Sequence, residues 1–100
     1  MCIRRYKITG WSMTPSLREG ARVLASTIFR LRLADVVVCR HPVTGRETIK
    51  RIVRQHEDRY YVEGDNLSMS TDSRHFGPVT EQDIIAKVLL QYRPRFRVYL

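Results

Sequence analysis

The sequence predicts a mostly β, antiparallel domain. Short segments rich in β-branched and aromatic residues recur along the chain, and turn-forming residues separate them. The run Val36-Val37-Val38-Cys39 has the continuous apolar character of a strand that is buried on both faces. One hundred residues fit a single domain, which we expect over 1–100, with its core at about 10–92 and a basic tail at 93–100.

The individual elements follow from local patterns. A polar turn at 57–59 joins two segments into a hairpin, and Pro94 ends the last core strand. Thr80 is expected to cap a short helix that reaches Ile85. The tail suits an edge strand or a loosely docked terminus. The strands are expected at 3–8, 22–25, 36–39, 48–55, 60–62 and 87–92.

The chain is strongly basic, with a net charge of +8 and fifteen arginines among its eighteen basic residues. This charge indicates either an acidic partner or a solvated basic surface, and charge alone does not separate the two. No nucleic-acid-binding motif is present, so no nucleic-acid partner is expected.

Cysteine content and hydropathy suggest a cytoplasmic protein, with peripheral membrane contact as the alternative. The longest apolar stretches, at 36–39 and 84–90, are far shorter than the roughly 20 residues that cross a bilayer. The basic N-terminus leads into no apolar signal core. Two cysteines in such a chain are expected to be free thiols, with Cys39 buried and Cys2 exposed. The cysteines and histidines lack zinc-site spacing.

Three local patterns have residues that could carry chemistry. In the first, Gly10-Trp11-Ser12-Met13-Thr14-Pro15, a serine lies where a strand meets a bend. Such a bend can expose a hydroxyl beside unpaired backbone N–H groups, as in an oxyanion hole, although a loop serine that caps a short helix fits this segment alone better.

The second pattern is Lys50 within an apolar strand, on the same face as Thr48 and Ile52. If that face is buried, desolvation favours the neutral amine, which can then accept a proton from a serine hydroxyl. A surface-facing lysine is the common alternative. None of His41, His56 and His75 has an obvious carboxylate partner, so a Ser-His-Asp arrangement is a poorer prediction.

The third pattern runs from Gly64 to Val79 and is dense in Asp, Asn, Ser and Gly. This composition is typical of a loop whose side chains hydrogen-bond the backbone. Asp72 and Arg74 are close enough to form an ion pair, and Ser70 and Asp72 could orient Lys50.

Taken together, these patterns resemble the type I signal peptidase family of serine proteases. The resemblance covers about residues 10–88. It rests on Gly-x-Ser-Met-x-Pro-x-Leu at 10–17, Asp35-Val36-Val37, Ile49-Lys50-Arg51, Gly64-Asp65-Asn66 and Ser70-Thr71-Asp72-Ser73-Arg74-x-Phe76-Gly77-Pro78-Val79.

The resemblance implies a Ser–Lys dyad and the antiparallel β fold of signal peptidases and self-cleaving SOS repressors, with short helical turns. Ser12 would be the nucleophile and Lys50 the general base. Ser70 would fix Lys50, while Asp72 and Arg74 would hold the loop. The Ser12 N–H would stabilise the oxyanion, because Gly10 stands where some members have a serine. The segment of Gly10, Trp11 and Met13 would form the substrate-binding and oxyanion region.

Several features depart from the family pattern. The family's membrane anchor and large inserted domain are not expected here, and Ala34 and Ala86 replace usual glycines. A compact member of this kind looks most like the nickel-type superoxide dismutase maturation proteases, which are taken to remove an N-terminal propeptide. That resemblance makes the dismutase propeptide the candidate substrate. It implies no cofactor, since any nickel would belong to the substrate.

Three other functions remain open from the sequence. The first is an export signal peptidase without its anchor. The second is the catalytic half of a self-cleaving repressor, disfavoured because the chain has no DNA-binding segment and no Ala-Gly cleavage site. The third is a non-enzymatic basic β-domain that binds an acidic partner.

Overall fold

The computed structural model describes residues 2–100, which form a mostly antiparallel β fold. One sheet of 8 strands has the order β1-β2-β7-β3-β4-β5-β6, with β8 paired to β7. This architecture confirms the predicted fold class. The elements are β1 (Ile3–Lys7), β2 (Arg22–Ser26), β3 (Val36–Arg40), β4 (Glu47–His56), β5 (Arg59–Glu63), a 3₁₀ turn (Leu67–Met69), α1 (Ser73–Phe76), β6 (Val79–Thr80), a second 3₁₀ turn (Glu81–Asp83), β7 (Ile84–Arg93) and β8 (Arg97–Val98).

Strand β3 lies between the two halves of the core. Val36 and Val38 pack into one apolar cluster, which also holds Met13. Val37 and Cys39 pack into the other. These four side chains are at most 1% exposed, which confirms the prediction that the run from Val36 to Cys39 is buried on both faces.

The prediction of a helix from Thr80 to Ile85 is wrong for the second half of that segment. A 3₁₀ turn does follow Thr80, whose N–H donates to the Asp83 carboxylate at 3.0 Å. The turn ends at Asp83, and Ile84 begins the ten-residue β7 by pairing with Cys39. Burial of Ile84 in the core favours the extended conformation over continuation of the helix.

The tail is docked rather than free, as the edge-strand alternative predicted. Residues of β8 pair with β7, and the Tyr99 hydroxyl donates to the Ser16 carbonyl at 2.7 Å. The tail therefore contacts the segment that follows Ser12.

Among residues 2–100, no helix is long and apolar enough to cross a membrane.

Candidate active site

Ser12 lies in a turn that the core holds at two points. The turn follows β1 and includes Gly10, whose φ of 80° belongs to the left-handed region that favours glycine. Met13 and Leu17 anchor the turn, since both are at most 1% exposed, and the Leu17 N–H donates to the Met13 carbonyl at 2.9 Å. Ser12 itself is half-buried. This arrangement leaves its side chain accessible on a backbone that is held in place.

The loop after β5 fixes the Ser12 peptide group from the other side. The Asn66 N–H donates to the Ser12 carbonyl at 2.8 Å. A Cβ added to Gly64 would lie 2.5 Å from that carbonyl oxygen and 2.5 Å from Ser70 Oγ. Gly64 is therefore the residue that allows the serine turn and Ser70 to approach the same point.

Ser70, Asp72 and Arg74 form one hydrogen-bonded network. Ser70 Oγ donates to Asp72 Oδ2 at 2.6 Å, and Arg74 Nε donates to Asp72 Oδ1 at 2.9 Å. The Gly64 N–H donates to Asp72 Oδ2 at 3.1 Å. Arg74 also binds the Leu67 carbonyl at 2.7 Å. The predicted Asp72–Arg74 ion pair is confirmed, and it ties the loop together around a fully buried carboxylate.

The environment of Asp72 favours its charged form. Burial raises the pKa of this carboxyl, but hydrogen bonds from Arg74, Ser70 and the Gly64 N–H outweigh burial and hold the pKa well below its usual range. Asp72 is therefore a permanent anion at physiological pH.

Lys50 is buried within β4, where it pairs with Val37 of β3. It is 3% exposed, so the buried-face alternative of the sequence prediction is correct. Desolvation lowers the pKa of its amine, and the Arg74 guanidinium lowers it further, while the Asp72 carboxylate acts in the opposite direction, as a Cys39 thiolate would. Burial also raises the pKa of the Cys39 thiol to about 12, so that neighbour is uncharged at neutral pH.

Ser12 and Lys50 line the same open groove. The groove has a volume of about 490 Å³, and its walls come from the end of β1, the first half of β4 and the serine turn. Met13, Met69 and Thr71 also line it, whereas Gly10 and Trp11 do not. Trp11 is 51% exposed outside the groove. Of the predicted substrate-binding segment, the structure thus brings Met13 to the groove with Ser12.

Within residues 2–100, the Ser12 N–H donates no backbone hydrogen bond, and no carboxylate forms an ion pair with the Lys50 amine. The N–H is therefore available to an oxyanion. Within that range, the amine therefore lacks a direct ion pair that would favour its protonated form. The free N–H suits stabilisation of an oxyanion, and the unpaired amine suits acceptance of a proton from a serine hydroxyl.

Sequence reasoning missed two histidines near the site. His41 lines the groove, and its Nδ1 accepts the Val43 N–H at 3.1 Å. His75 Nδ1 accepts the Asp72 N–H at 3.2 Å and lies 3.8 Å from Asp72 Oδ1, which is beyond hydrogen-bonding distance, so the carboxylate does not orient this imidazole as a base. The His75 side chain is 54% exposed and is not part of the groove wall. The Asp-x-x-His spacing, which places the two residues in a capping box, was the available signal.

Arg51 and Asp65 form an ion pair that also supports the site, and the sequence analysis did not predict it. Arg51 Nε and Nη2 donate to the two Asp65 oxygens at 2.9 and 3.0 Å, and Arg51 Nη1 donates to the Ala34 carbonyl at 2.8 Å. This bidentate contact fastens the loop that carries Gly64 to the strand that carries Lys50.

A half-buried serine and a desolvated lysine on one groove of an antiparallel β fold define a candidate serine-type hydrolase. The family model described as "Signal peptidase, peptidase S26" matches residues 1–56 and 53–93. The chain belongs to this peptidase family, as the sequence motifs predicted.

Curated relatives agree with this assignment. The chain is 33% identical to the mitochondrial ATP-independent inner membrane protease subunit 1a of Arabidopsis thaliana, over 87% of this chain and 68% of the relative. It is 25% identical to the mitochondrial inner membrane protease subunit 1 of Mus musculus, over 86% of this chain and 67% of that protein. A shorter match to signal peptidase I V of Bacillus subtilis (strain 168) is 39% identical over 46% of this chain and 29% of the relative.

Proposed function

We propose that this protein is a Ser–Lys dyad endopeptidase that removes an N-terminal propeptide from a precursor protein. The observation that carries the proposal is the buried Lys50 amine, with its lowered pKa, on the groove that Ser12 also lines. A peptidase of this kind needs an uncharged amine near a serine hydroxyl, and desolvation of Lys50 favours that form.

The proposed reaction proceeds by acyl transfer. The neutral Lys50 amine accepts the proton of Ser12 Oγ while this oxygen attacks the scissile carbonyl carbon. The Ser12 N–H donates to the resulting oxyanion. The Lys50 ammonium then protonates the leaving amine, and the peptide C–N bond breaks. Water, deprotonated by Lys50, finally cleaves the acyl ester and regenerates Ser12.

Ser70, Asp72 and Arg74 support this chemistry from behind the groove. Asp72 stays ionised and accepts the Ser70 hydroxyl, so Ser70 is held in one orientation beside the serine turn. We propose that these three residues position Ser12 and Lys50 and do not themselves react.

The propeptide of a nickel-type superoxide dismutase is the proposed substrate. The support is the Asp72-Ser73-Arg74-His75-Phe76-Gly77-Pro78-Val79 run and the compact form of the matched region. The alternative is cleavage of exported precursors in the manner of a signal peptidase, and the similarity to inner membrane protease subunits and to signal peptidase I favours this alternative.

A cleavage assay with two substrates tests the proposal. Purified protein is incubated with a nickel superoxide dismutase precursor or with a secretory precursor, and new N-termini are read by mass spectrometry. Ser12→Ala should abolish the cut, whereas Ser68→Ala, which removes an exposed hydroxyl of the neighbouring loop, should not. Cleavage of the secretory precursor alone selects the alternative substrate.

Replacement of Lys50 tests the base. Lys50→Arg should abolish cleavage at every pH, because arginine does not lose its proton in proteins. Lys7→Arg, a matched change elsewhere on the groove, should leave cleavage intact. Wild-type activity should rise with pH as Lys50 deprotonates. An active Lys50→Arg enzyme would exclude Lys50 as the base, and unaltered cleavage by Ser12→Ala would exclude Ser12 as the nucleophile. No cleavage of either substrate by the wild-type protein would favour a non-enzymatic basic domain.

A further inference from the structure

A second groove lies beside the segment that follows Ser12. It has a volume of about 1140 Å³ and begins at Pro15, two residues after Met13, which lines the first groove. One wall is the 15–21 segment and the other is the turn between β7 and β8. Four arginines line it: Arg18, Arg93, Arg95 and Arg97.

The arginines of this groove have uncompensated charge. All four are exposed, and none forms an ion pair within the part of the chain that the structure describes. Glu19 is the single carboxylate on the groove wall. Guanidinium groups match carboxylates with two parallel hydrogen bonds, so a concave surface of this composition is complementary to an acidic ligand.

The groove is held in shape by buried contacts. Gln91 is 5% exposed, and its Nε2 donates to the Arg95 carbonyl at 2.9 Å. Arg97 pairs with Gln91 in the sheet, so the β7–β8 turn presents its arginines on a fixed backbone. Phe96, 69% exposed between two of these arginines, adds apolar contact area. Arginine and aromatic side chains together are typical of the centres of protein–protein interfaces.

The second groove is also connected to the catalytic segment. Ser16 belongs to its wall, and the Ser16 carbonyl accepts the Tyr99 hydroxyl at 2.7 Å. Met13 lines the first groove and Pro15 the second, so the two grooves adjoin one short segment of the chain. An extended chain advances about 3.3 Å per residue, so the spacer length that best links a cleaved bond to an acidic segment measures the path between the two grooves.

We propose that the arginine groove is an exosite for an acidic segment of the substrate protein, away from the bond that is cut. This inference rests on the proposed peptidase function. The lining of the groove includes the buried residues Ala21 and Gln91, which favours a polypeptide, since a flat bilayer reaches only the exposed rim. Acidic side chains interspersed with apolar ones match the arginines and Phe96.

Direct binding tests the exosite independently of catalysis. The probe is a labelled glutamate-rich peptide with interspersed leucines, and its control is the same peptide with glutamine in place of glutamate. Binding to the Ser12→Ala protein is followed by fluorescence anisotropy. The glutamate peptide should bind and the glutamine peptide should not. Binding should weaken steeply as salt approaches about 1 M, where the screening length falls to about 3 Å.

Matched double variants locate the binding site. Arg95→Gln/Arg97→Gln should weaken binding about tenfold, as expected for the loss of two partly exposed ion pairs. Arg30→Gln/Arg32→Gln removes the same charge from exposed positions outside both grooves and should leave affinity within about twofold. Equal losses in the two variants would overturn the exosite in favour of diffuse charge attraction.

Kinetics then connect the exosite to cleavage. A substrate with an acidic segment, placed at increasing spacer lengths from the cut, should show a lower KM than its glutamine-substituted form. The Arg95→Gln/Arg97→Gln enzyme should lose this difference with kcat unchanged. Binding without cleavage by the wild-type protein would reject the peptidase and leave the acidic-peptide site standing. Cleavage without preference for the acidic segment would reject the exosite alone. Stronger binding to anionic phospholipid vesicles or to an oligonucleotide than to the peptide would also overturn it.

Discussion

Gly64→Ala is the substitution for which the structure predicts the clearest effect on Ser12, the proposed nucleophile. The new Cβ would lie 2.5 Å from the Ser12 carbonyl oxygen, 2.5 Å from Ser70 Oγ and 2.7 Å from Ser70 Cβ. These contacts are about 1 Å shorter than the ordinary carbon separations of 3.5–4.0 Å in packed interiors. One partner is backbone, so a change of rotamer alone cannot remove the clash.

The size of the effect on stability and on activity follows from the displacement of the Ser12 peptide group that the new Cβ requires. Overpacking of this kind typically costs about 1–3 kcal/mol of stability, and a domain of this size loses roughly 4–8 °C of melting temperature per kcal/mol. Displacement of the Ser12 peptide also weakens its 2.8 Å hydrogen bond from Asn66. A misplacement of about 1 Å in a catalytic group can reduce the rate by about a hundredfold. We therefore expect a folded but nearly inactive enzyme.

Thermal unfolding by circular dichroism and kcat/KM on the cleaved precursor measure the two effects. Gly20→Ala is the matched control, because its φ of 90° makes alanine unfavourable while nothing lies within 4 Å of the added Cβ. It should lower stability and leave kcat nearly unchanged, because Gly20 lies on the arginine groove and not on the groove of Ser12. Wild-type kcat/KM in Gly64→Ala would refute the conclusion that the 64–72 loop holds Ser12 in place.

Three further predictions concern the buried charges. Lys50→Met should raise the free energy of unfolding at neutral pH by about 0.5–2 kcal/mol while abolishing activity, because it removes the cost of desolvating the Lys50 ammonium group or of deprotonating it on folding. The folded state binds the Lys50 proton more weakly than the unfolded state, so this gain should shrink as pH rises towards the ordinary lysine pKa of about 10.4, and a pH-independent gain would contradict it. Asp72→Asn should lower the free energy of unfolding by about 2–4 kcal/mol at pH 7, measured by urea unfolding. Because the pKa of Asp72 is lower in the folded state, the stabilisation by its carboxylate is complete above about pH 4 and decreases in more acidic solution, where the stabilities of the two proteins should converge. Lys87 Nζ and Asp35 Oδ2 form a buried ion pair, 3.4 Å apart, so Asp35→Ala should lower the free energy of unfolding by about 3–5 kcal/mol. The double variant Asp35→Leu/Lys87→Met should lose much less stability, and equal losses would argue against an uncompensated lysine charge as the cause.

Much of the fold could be predicted because its signals are local. The run at Val36–Cys39 and the alternation around Lys50 each indicate a strand within a few residues. The prediction that a helix reaches Ile85 was wrong for a complementary reason. The capping pattern at Thr80 is local and did form a turn, but pairing of Ile84 with the distant Cys39 ended that turn early.

The candidate site was predicted in part. Motif spacing singled out Ser12, Lys50 and the 70–74 run, and the structure brings Ser12 and Lys50 to one groove. Spacing did not reveal His41 as a groove residue or the Arg51–Asp65 contact that fastens the loop to β4. Both depend on which strands are neighbours, and strand order is a long-range property.

The sequence by itself determined the strands, the turns, the basic charge and the peptidase family, because each of these depends on residue type and spacing along the chain. Only the tertiary structure decided that Lys50 is buried, since its two faces are equally compatible with a strand until other elements pack against them. It also decided that Gly64 and Ser70 meet the Ser12 turn and that four arginines converge on one groove. The physical reason is the order of the sheet, in which β7 lies between β2 and β3 and thereby brings together segments that are far apart in sequence.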